Sequence, residues 1–280
     1  MPPLIRCVSY LVLCICFSSL LTKSQAQGGK EESSVVIEDN SFFVEEAFNQ
    51  EEGVVQHIFS GLYYRRPQEN TELTFTQEWP LLGLDHQFSY TLTYGFLSAP
   101  SVDGIGDLFL NYRYQVIRDQ AWAAVAPRIS VIVPTGKADK GLGLGVLGYQ
   151  VNLPISKRLS GKFIVHVNVG LSLFPNVDGT TSGGQSVHRA LSWYNIAASM
   201  IWLAEENWNI MLETAGYFNA EIGQNGGVAR STELIVCPAF RHAINLHQLQ
   251  IVPGLGIPLS IVDGETRGGA FIYLSFEHPF

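Results

Sequence analysis

The sequence predicts an all-β fold, a twelve-stranded antiparallel transmembrane β-barrel of the outer-membrane type, and three observations carry that prediction. Apolar residues recur at every second position through most of the chain, the period of a strand with one greasy face. Connections between the periodic segments alternate between short turns and longer loops rich in Gly, Asp and Asn, as in bacterial barrels with tight periplasmic turns. Four tryptophans, Trp79, Trp122, Trp202 and Trp208, fall at segment ends that map to one membrane edge, where an interfacial girdle belongs. Trp122 has the inward parity for its segment and fits that edge less well.

The first residues are a targeting segment. Arg6 precedes the apolar run Cys7–Leu21, and Ser24-Gln25-Ala26 offers small residues for a signal peptidase, so residues 1–26 read as a leader cleaved after Ala26. The run is shorter than the ~20 apolar residues of a spanning helix. Cleavage removes Cys7, Cys14 and Cys16 and leaves Cys237 alone, which excludes an intrachain disulfide and a cysteine metal site. It also removes two of the 17 basic residues and none of the 25 acidic ones, leaving a net charge of −10. A nucleic-acid partner is excluded on that ground; the expected surroundings are membrane lipid, in the outer membrane of a diderm bacterium, with small-molecule solutes as cargo.

Residues 27–52 are polar and acidic, with Glu31, Glu32, Glu38, Asp39, Glu45, Glu46, Glu51 and Glu52 and no long period. They read as a periplasmic tail or a segment that occupies the lumen, disordered through its first half. The barrel follows over 53–280. Its first strands are predicted at 54–64, 72–79, 86–96 and 105–116. In the third, Phe88, Tyr90, Leu92, Tyr94 and Phe96 oppose Gln87, Ser89, Thr91, Thr93 and Gly95; in the fourth, Leu108, Leu110, Tyr112 and Tyr114 point outward. Further strands are expected at 122–133, 143–153, 162–174, 189–202, 208–221 and 231–240. The last hairpin, 248–262 with 270–280, states the pattern most plainly: Leu249, Ile251, Pro253, Leu255, Ile257, Leu259 and Ile261 alternate with Gln250, Val252, Gly254, Gly256, Pro258 and Ser260. Hydrophobic residues make up 46% of the chain and charged ones 15%, yet no exported stretch supplies the ~18 consecutive apolar residues of a spanning helix, so the membrane would be crossed by strands.

Short motifs at several points resemble one family. Glu45-Glu46-Ala47-Phe48-Asn49-Gln50-Glu51 running into Gly53-Val54-Val55-Gln56-His57, then Gly104-Ile105-Gly106-Asp107-Leu108, and Pro127-Arg128 with Pro134-Thr135-Gly136-Lys137, resemble the outer-membrane transporters of the putative MetA pathway of phenol degradation. The resemblance spans the exported chain and implies a small barrel that passes hydrophobic or aromatic compounds; it supplies no catalytic residue.

Chemistry beyond transport finds little support in the residues. Gly143-Leu144-Gly145-Val146-Leu147-Gly148 fits the dinucleotide fingerprint, but continues into an alternating strand where a helix would be required. Thr135-Gly136-Lys137 lacks the upstream glycine and the following Ser or Thr of a phosphate loop. His166 and Asn168 share the inward face of one strand with no Ser two residues away, so a hydrolytic pair is not indicated and His166 reads as a lumen residue. The other histidines have no metal-ligand spacing. No enzyme activity, cofactor or metal is expected.

Inward parity selects Asp107, Asn111, Arg113, Arg128, His166, Glu213 and Glu233 as lumen-lining candidates, together with Lys162 and Arg241. Such charges either line an open pore or pair inside a closed one. The expectation adopted is the open arrangement, with Arg113 and Arg128 hydrated near mid-height as part of a transverse field. The alternative functions are a structural or surface-interaction barrel without transport and, behind it, a lipid-modifying enzyme.

Overall fold

A computed structural model describes residues 41–65, 69–98, 101–118 and 122–280. The expected leader and the stretch 27–40 lie outside the described residues. The rest forms a closed antiparallel barrel of twelve strands. They are β1 (Val54–Tyr64), β2 (Asn70–Pro80), β3 (His86–Ser98), β4 (Ser101–Ile105 and Leu108–Tyr114), β5 (Ala124–Val125 and Arg128–Val133) and β6 (Gly148–Ser160). These are followed by β7 (Phe163–Thr180), β8 (Ser186–Glu205), β9 (Trp208–Ile222), β10 (Val228–His242, extended by Ile244–Leu246), β11 (Leu249–Gly256 and Leu259–Val262) and β12 (Glu265–Pro279). Neighbours in sequence pair throughout, and β1 closes on β12 from Val54↔Pro279 to Tyr64↔Gly269. Closure leaves no edge strand, which a bilayer demands because lipid cannot satisfy free amides and carbonyls.

Three strands are interrupted where the sequence forbids a regular ladder. Pro127 lies in the break of β5 and Pro258 in that of β11, positions where a missing N–H weakens the ladder, although Pro154, Pro238 and Pro253 are carried within paired strands. In β4 the break is Gly106-Asp107, whose side chain has another task. The outward face is apolar: Ile196, Val169, Leu255 and Ile272 are each about half exposed at 53%, 54%, 49% and 55%. The inward face carries Gln56, Gln87, Asn111, Asn152, Ser172 and Asn209, each buried. Apolar-out, polar-in alternation is the inverse of a soluble sandwich and fits a membrane barrel.

The end that holds Gly53 and Phe280 carries tight turns and an aromatic girdle, features that periplasmic ends of such barrels share. Trp79 stacks on Phe88, Trp202 on Phe163 and Trp208 on Phe240, at centroid distances of 6.0, 6.5 and 6.1 Å. Trp122 is 65% exposed, with Lys157 over its ring, and sits before β5 begins, so the inward parity assigned to it does not hold. Lys162 is likewise not a lumen residue; it occupies the exposed two-residue turn between β6 and β7.

The difference in loop length is smaller than the sequence suggests. Most of the expected outer loops are strand extensions: β7 runs 18 residues and β8 runs 20, leaving only 181–185 between them. The expected loop 97–104 is a hairpin paired to Ser98↔Ser101. Polar loop-like composition does not stop strand pairing once flanking strands hold the register. One long outer loop remains, residues 134–147, which includes Gly143–Leu147, expected as strand.

Candidate functional site

The site is the barrel interior, and its floor is made by the chain's own segment Ser41–Gln50. Among the described residues this segment makes no ladder with any strand. Its backbone amides are taken instead by inward side chains of successive barrel strands. Phe43 N donates to Glu213 Oε2 on β9 at 2.7 Å, Glu45 N to Asn168 Oδ1 on β7 at 2.6 Å and Ala47 N to Ser156 Oγ on β6 at 2.7 Å. Asn49 N reaches Gln115 Oε1 beside the end of β4 at 3.2 Å, and Gln50 N reaches Gln87 Oε1 on β3 at 2.7 Å. Donors at residues 43, 45, 47 and 49 are the period of an extended chain. The segment therefore runs along the inner wall against the strand order, about one amide per strand, before it turns into β1.

Apolar side chains seat it. Phe42 stacks on Phe271 and Tyr273 at 4.8 and 5.2 Å, and Val44 lies in a cluster with Ile164, Ile201, Met211 and Ile235. Two glycines of β11 make room: a Cβ at Gly254 would stand 2.6 Å from Phe42 Cζ, and one at Gly256 3.3 Å from Phe42 Cδ2. Burying an apolar side chain fully contributes roughly 1.5–3 kcal/mol, so these anchors matter as much as the hydrogen bonds.

The arginines expected to stand free in the lumen are paired, and the acidic segment supplies the partners. Arg113, 4% exposed, meets Glu46 Oε1 at 3.3 Å and Glu78 Oε2 at 3.9 Å, and donates to the carbonyls of Glu46 and Phe48 and to Asn49 Oδ1. Arg128 Nε meets Glu45 Oε1 at 2.6 Å. Arg113 and Arg128 are register partners on β4 and β5, and like charges directly opposite are destabilising; the carboxylates of Glu45 and Glu46 relieve this. Burial would raise the Glu45 carboxyl, but Arg128 and Arg113 beside it, with the Asn152 amide, hold it below the ordinary carboxylate range.

The remaining candidates divide by height. Glu213 lies in the floor, its carboxylate taking Phe42 N, Phe43 N and the Ser199 hydroxyl. His166 Nδ1 is 2.7 Å from Ser156 Oγ, an arrangement that inspection for a serine on the same strand missed because the serine comes from β6. Both residues are fully buried and Ser156 already accepts Ala47 N, so this pair fastens the floor and offers no substrate access. Asn111 accepts from Arg128 Nη1 at 2.7 Å and donates to Ser89. Near the outer end Glu233 binds Arg267 Nη2 at 2.6 Å, with Arg267 over the Tyr64 ring at 4.2 Å.

Asp107 does not line a path; it holds the long outer loop inward. Its Oδ1 accepts Gly136 N at 3.0 Å and its Oδ2 accepts Leu144 N at 3.3 Å. A Cβ at Gly143 would stand 2.4 Å from Asp107 Oδ1, which explains one glycine of the dinucleotide-like pattern; Gly145, at φ +71, explains another. Leu144 and Val146 then pack on the interior cluster of Ile132, Phe174, Val177 and Leu191.

Between floor and loop lies a chamber of about 740 Å³ whose wall includes Leu62, Phe109, Trp193, Tyr217, Phe271 and the floor's own Phe43. It reaches Tyr64, Asn70 and Leu97, where β1, β2 and β3 meet their outer ends. A second chamber of about 390 Å³ adjoins the floor and includes Glu45, Arg128 and Asn152. Among the described residues no group of three or more His, Cys, Asp or Glu is placed to hold a metal.

No family model and no curated protein matches the chain. The resemblance to the phenol-degradation transporters therefore rests on its short motifs alone. Solved structures do match the fold. The COG4313 outer membrane channel from Pseudomonas putida F1 superposes with a TM-score of 0.66 at 13% identity, over 86% of this chain and 99% of that one. The NanC porin gives 0.49 at 8% identity, over 79% and 98%, and the CymD monoaromatic hydrocarbon channel 0.42 at 10%, over 82% and 89%. The first of these likenesses, at 13% identity, establishes the barrel architecture alone.

Proposed function

We propose that this protein is an outer-membrane channel for small hydrophobic or aromatic solutes, held shut at its periplasmic end by its N-terminal segment, with no enzymatic step. One observation carries the reading: a chamber of about 740 Å³, walled by aromatic and aliphatic side chains interleaved with polar ones such as Asn70, Glu72, Asn195 and Arg267, ends on a floor that belongs to the segment ahead of β1 and not to the barrel wall. Small-molecule sites combine apolar and aromatic walls with polar groups that orient the ligand. A floor of extended chain, fastened by side chains and free of ladder bonds, can leave without unravelling any strand. The fold likeness to the Pseudomonas putida channel is in keeping with the same role.

A lipid-modifying role is opposed by the burial of Ser156 and His166 beneath the segment. A purely structural barrel would have no reason to leave the upper chamber unfilled by side chains, because core packing normally closes such volume. Liposome swelling tests the reading. Proteoliposomes should admit benzene derivatives and other small solutes faster than empty liposomes, and faster still when residues 41–50 are deleted. Equal rates for protein-free, intact and truncated samples would leave only the structural role.

A further inference from the structure

Arg128 and Asn152 are register partners on β5 and β6, and together they grip the two oxygens of one carboxylate. Arg128 Nε is 2.6 Å from Glu45 Oε1, and Asn152 Nδ2 donates to Glu45 Oε2 at 2.5 Å. The barrel wall aims this pair independently of the segment it holds. The Arg128 guanidinium is fixed from behind by Asn111 Oδ1 at 2.7 Å, Ser130 Oγ at 2.5 Å and Gln150 Oε1 at 2.8 Å, all wall residues. Asn152 is 5% exposed, and among the described residues its Oδ1 has no partner, so its one side-chain hydrogen bond is the one to Glu45. A guanidinium held by three wall hydrogen bonds, with its Nε ion-paired to a carboxylate in the lumen, is a preformed site for an anionic oxygen.

The site is also within reach. The Glu45 and Arg128 side chains keep 33% and 14% of their exposure, unlike the deeper Arg113–Glu46 pair at 4% and 8%. They border the 390 Å³ chamber, and that chamber shares Phe42, Phe43, Phe109 and Tyr217 with the larger one above. A molecule entering from outside meets a wall of aromatic and polar side chains, in which Arg267 is already paired with Glu233, and reaches Arg128 lower down.

From this we infer that the Arg128–Asn152 cradle is the binding site for the carboxylate of a small aromatic acid, and that Glu45 occupies it as a tethered stand-in. The incoming acid and the Glu45 carboxylate compete for the same donors. An acid that wins removes one fastening of the floor, so the solute helps to open its own path. The inference rests on the channel reading and narrows it: the preferred solute carries an anionic carboxylate on a planar apolar body.

The test uses benzoate against benzyl alcohol, which keeps the ring and lacks the charge. Full-length protein in detergent is titrated with each by calorimetry, beside Glu45→Gln and Arg128→Lys variants, with heat-modifiable gel mobility reporting folding. Displacing the tethered competitor should tighten benzoate binding in Glu45→Gln by roughly tenfold or more, since an intramolecular carboxylate acts at an effective concentration in the millimolar range. Arg128→Lys keeps the charge and loses the planar fork, so benzoate binding should weaken at least tenfold there. Benzyl alcohol should respond to neither change. The inference is overturned if benzoate binds Glu45→Gln no better than the unaltered protein, or if benzyl alcohol follows benzoate through the series. Solute-independent swelling by the truncated protein would then show that the channel reading survives without this site; no swelling at all would remove both.

Discussion

Glu213 and Phe43 lie on opposite partners of the floor, and the Glu213 carboxylate binds Phe43 N at 2.7 Å while its other oxygen binds Phe42 N at 2.9 Å. One wall carboxylate thus holds two consecutive amides of a segment that has no ladder of its own. Glu213→Gln replaces one acceptor oxygen with a donor that faces an N–H. A buried hydrogen bond to a charged group contributes about 1.5–3 kcal/mol, so exchange at the Phe42 and Phe43 amides should accelerate by tenfold or more. Hydrogen–deuterium exchange resolved to residues 41–50 reads this, with β1–β12 unchanged. Unaltered exchange in the segment would show that the aromatic contacts alone hold it.

Acid should loosen the same segment through Glu45. Its carboxyl is depressed when docked, so docking is favoured above the ordinary carboxylate range and that contribution is lost as pH falls through the docked value. The groups facing it are Arg128, Arg113 and Asn152. Single-channel records at pH 3 should show more frequent opening than at pH 7, and Glu45→Gln should open more often at pH 7 and respond less to acid. A variant with the full acid response would move the titrating group elsewhere, to Glu46 or Glu78.

Asp107 should govern the outer entrance. Asp107→Ala removes the acceptor for Gly136 N and Leu144 N and frees the loop 134–147, while β4 and β5 keep their pairing. Protease sensitivity within that loop should rise several-fold, with gel mobility of the folded barrel unchanged. Resistance equal to the unaltered protein would mean that Leu144 and Val146 seat the loop without Asp107.

Adjacent residues on β8 should tell lipid from lumen. Ile196 is 53% exposed on the outward face, and Asn195 borders the chamber. Ile196→Lys near the midplane should destabilise by about 2–4 kcal/mol, whereas Asn195→Lys should cost much less. Urea titrations of refolded protein in lipid vesicles measure both. Equal losses would argue against a bilayer around this face.

Much of the barrel is legible in the sequence because the inward–outward period is local: Gln87, Ser89 and Thr91 against Phe88, Tyr90 and Leu92 need no knowledge of the partner strand. The segment 41–50 is not legible in that way. Its amides bond to side chains of β9, β7, β6 and β3 and of Gln115 just past β4, so neither a helical nor a strand period marks it. Two signals were nevertheless present. Gly254 and Gly256 stand on the inward face of β11, where glycine marks close approach of another group, here Phe42. Arg113 and Arg128 stand opposite one another with no carboxylate at a neighbouring inward position of either strand, and the acidic Glu45-Glu46 pair supplies the missing negative charge. The Ser156–His166 contact is not visible from one strand because it joins residues ten apart on neighbouring strands, and the loop-holding role of Asp107, a residue expected in the lumen lining, is hidden because its partners are backbone amides in a distant loop.

The central claim is that residues 41–50 close the channel, and the most direct measurement is single-channel conductance in planar bilayers of the full chain and of a chain lacking those residues, at matched salt and voltage. The account predicts small or intermittent currents from the full chain and a severalfold larger, steady conductance from the truncated one. Indistinguishable conductances from two folded barrels would contradict it.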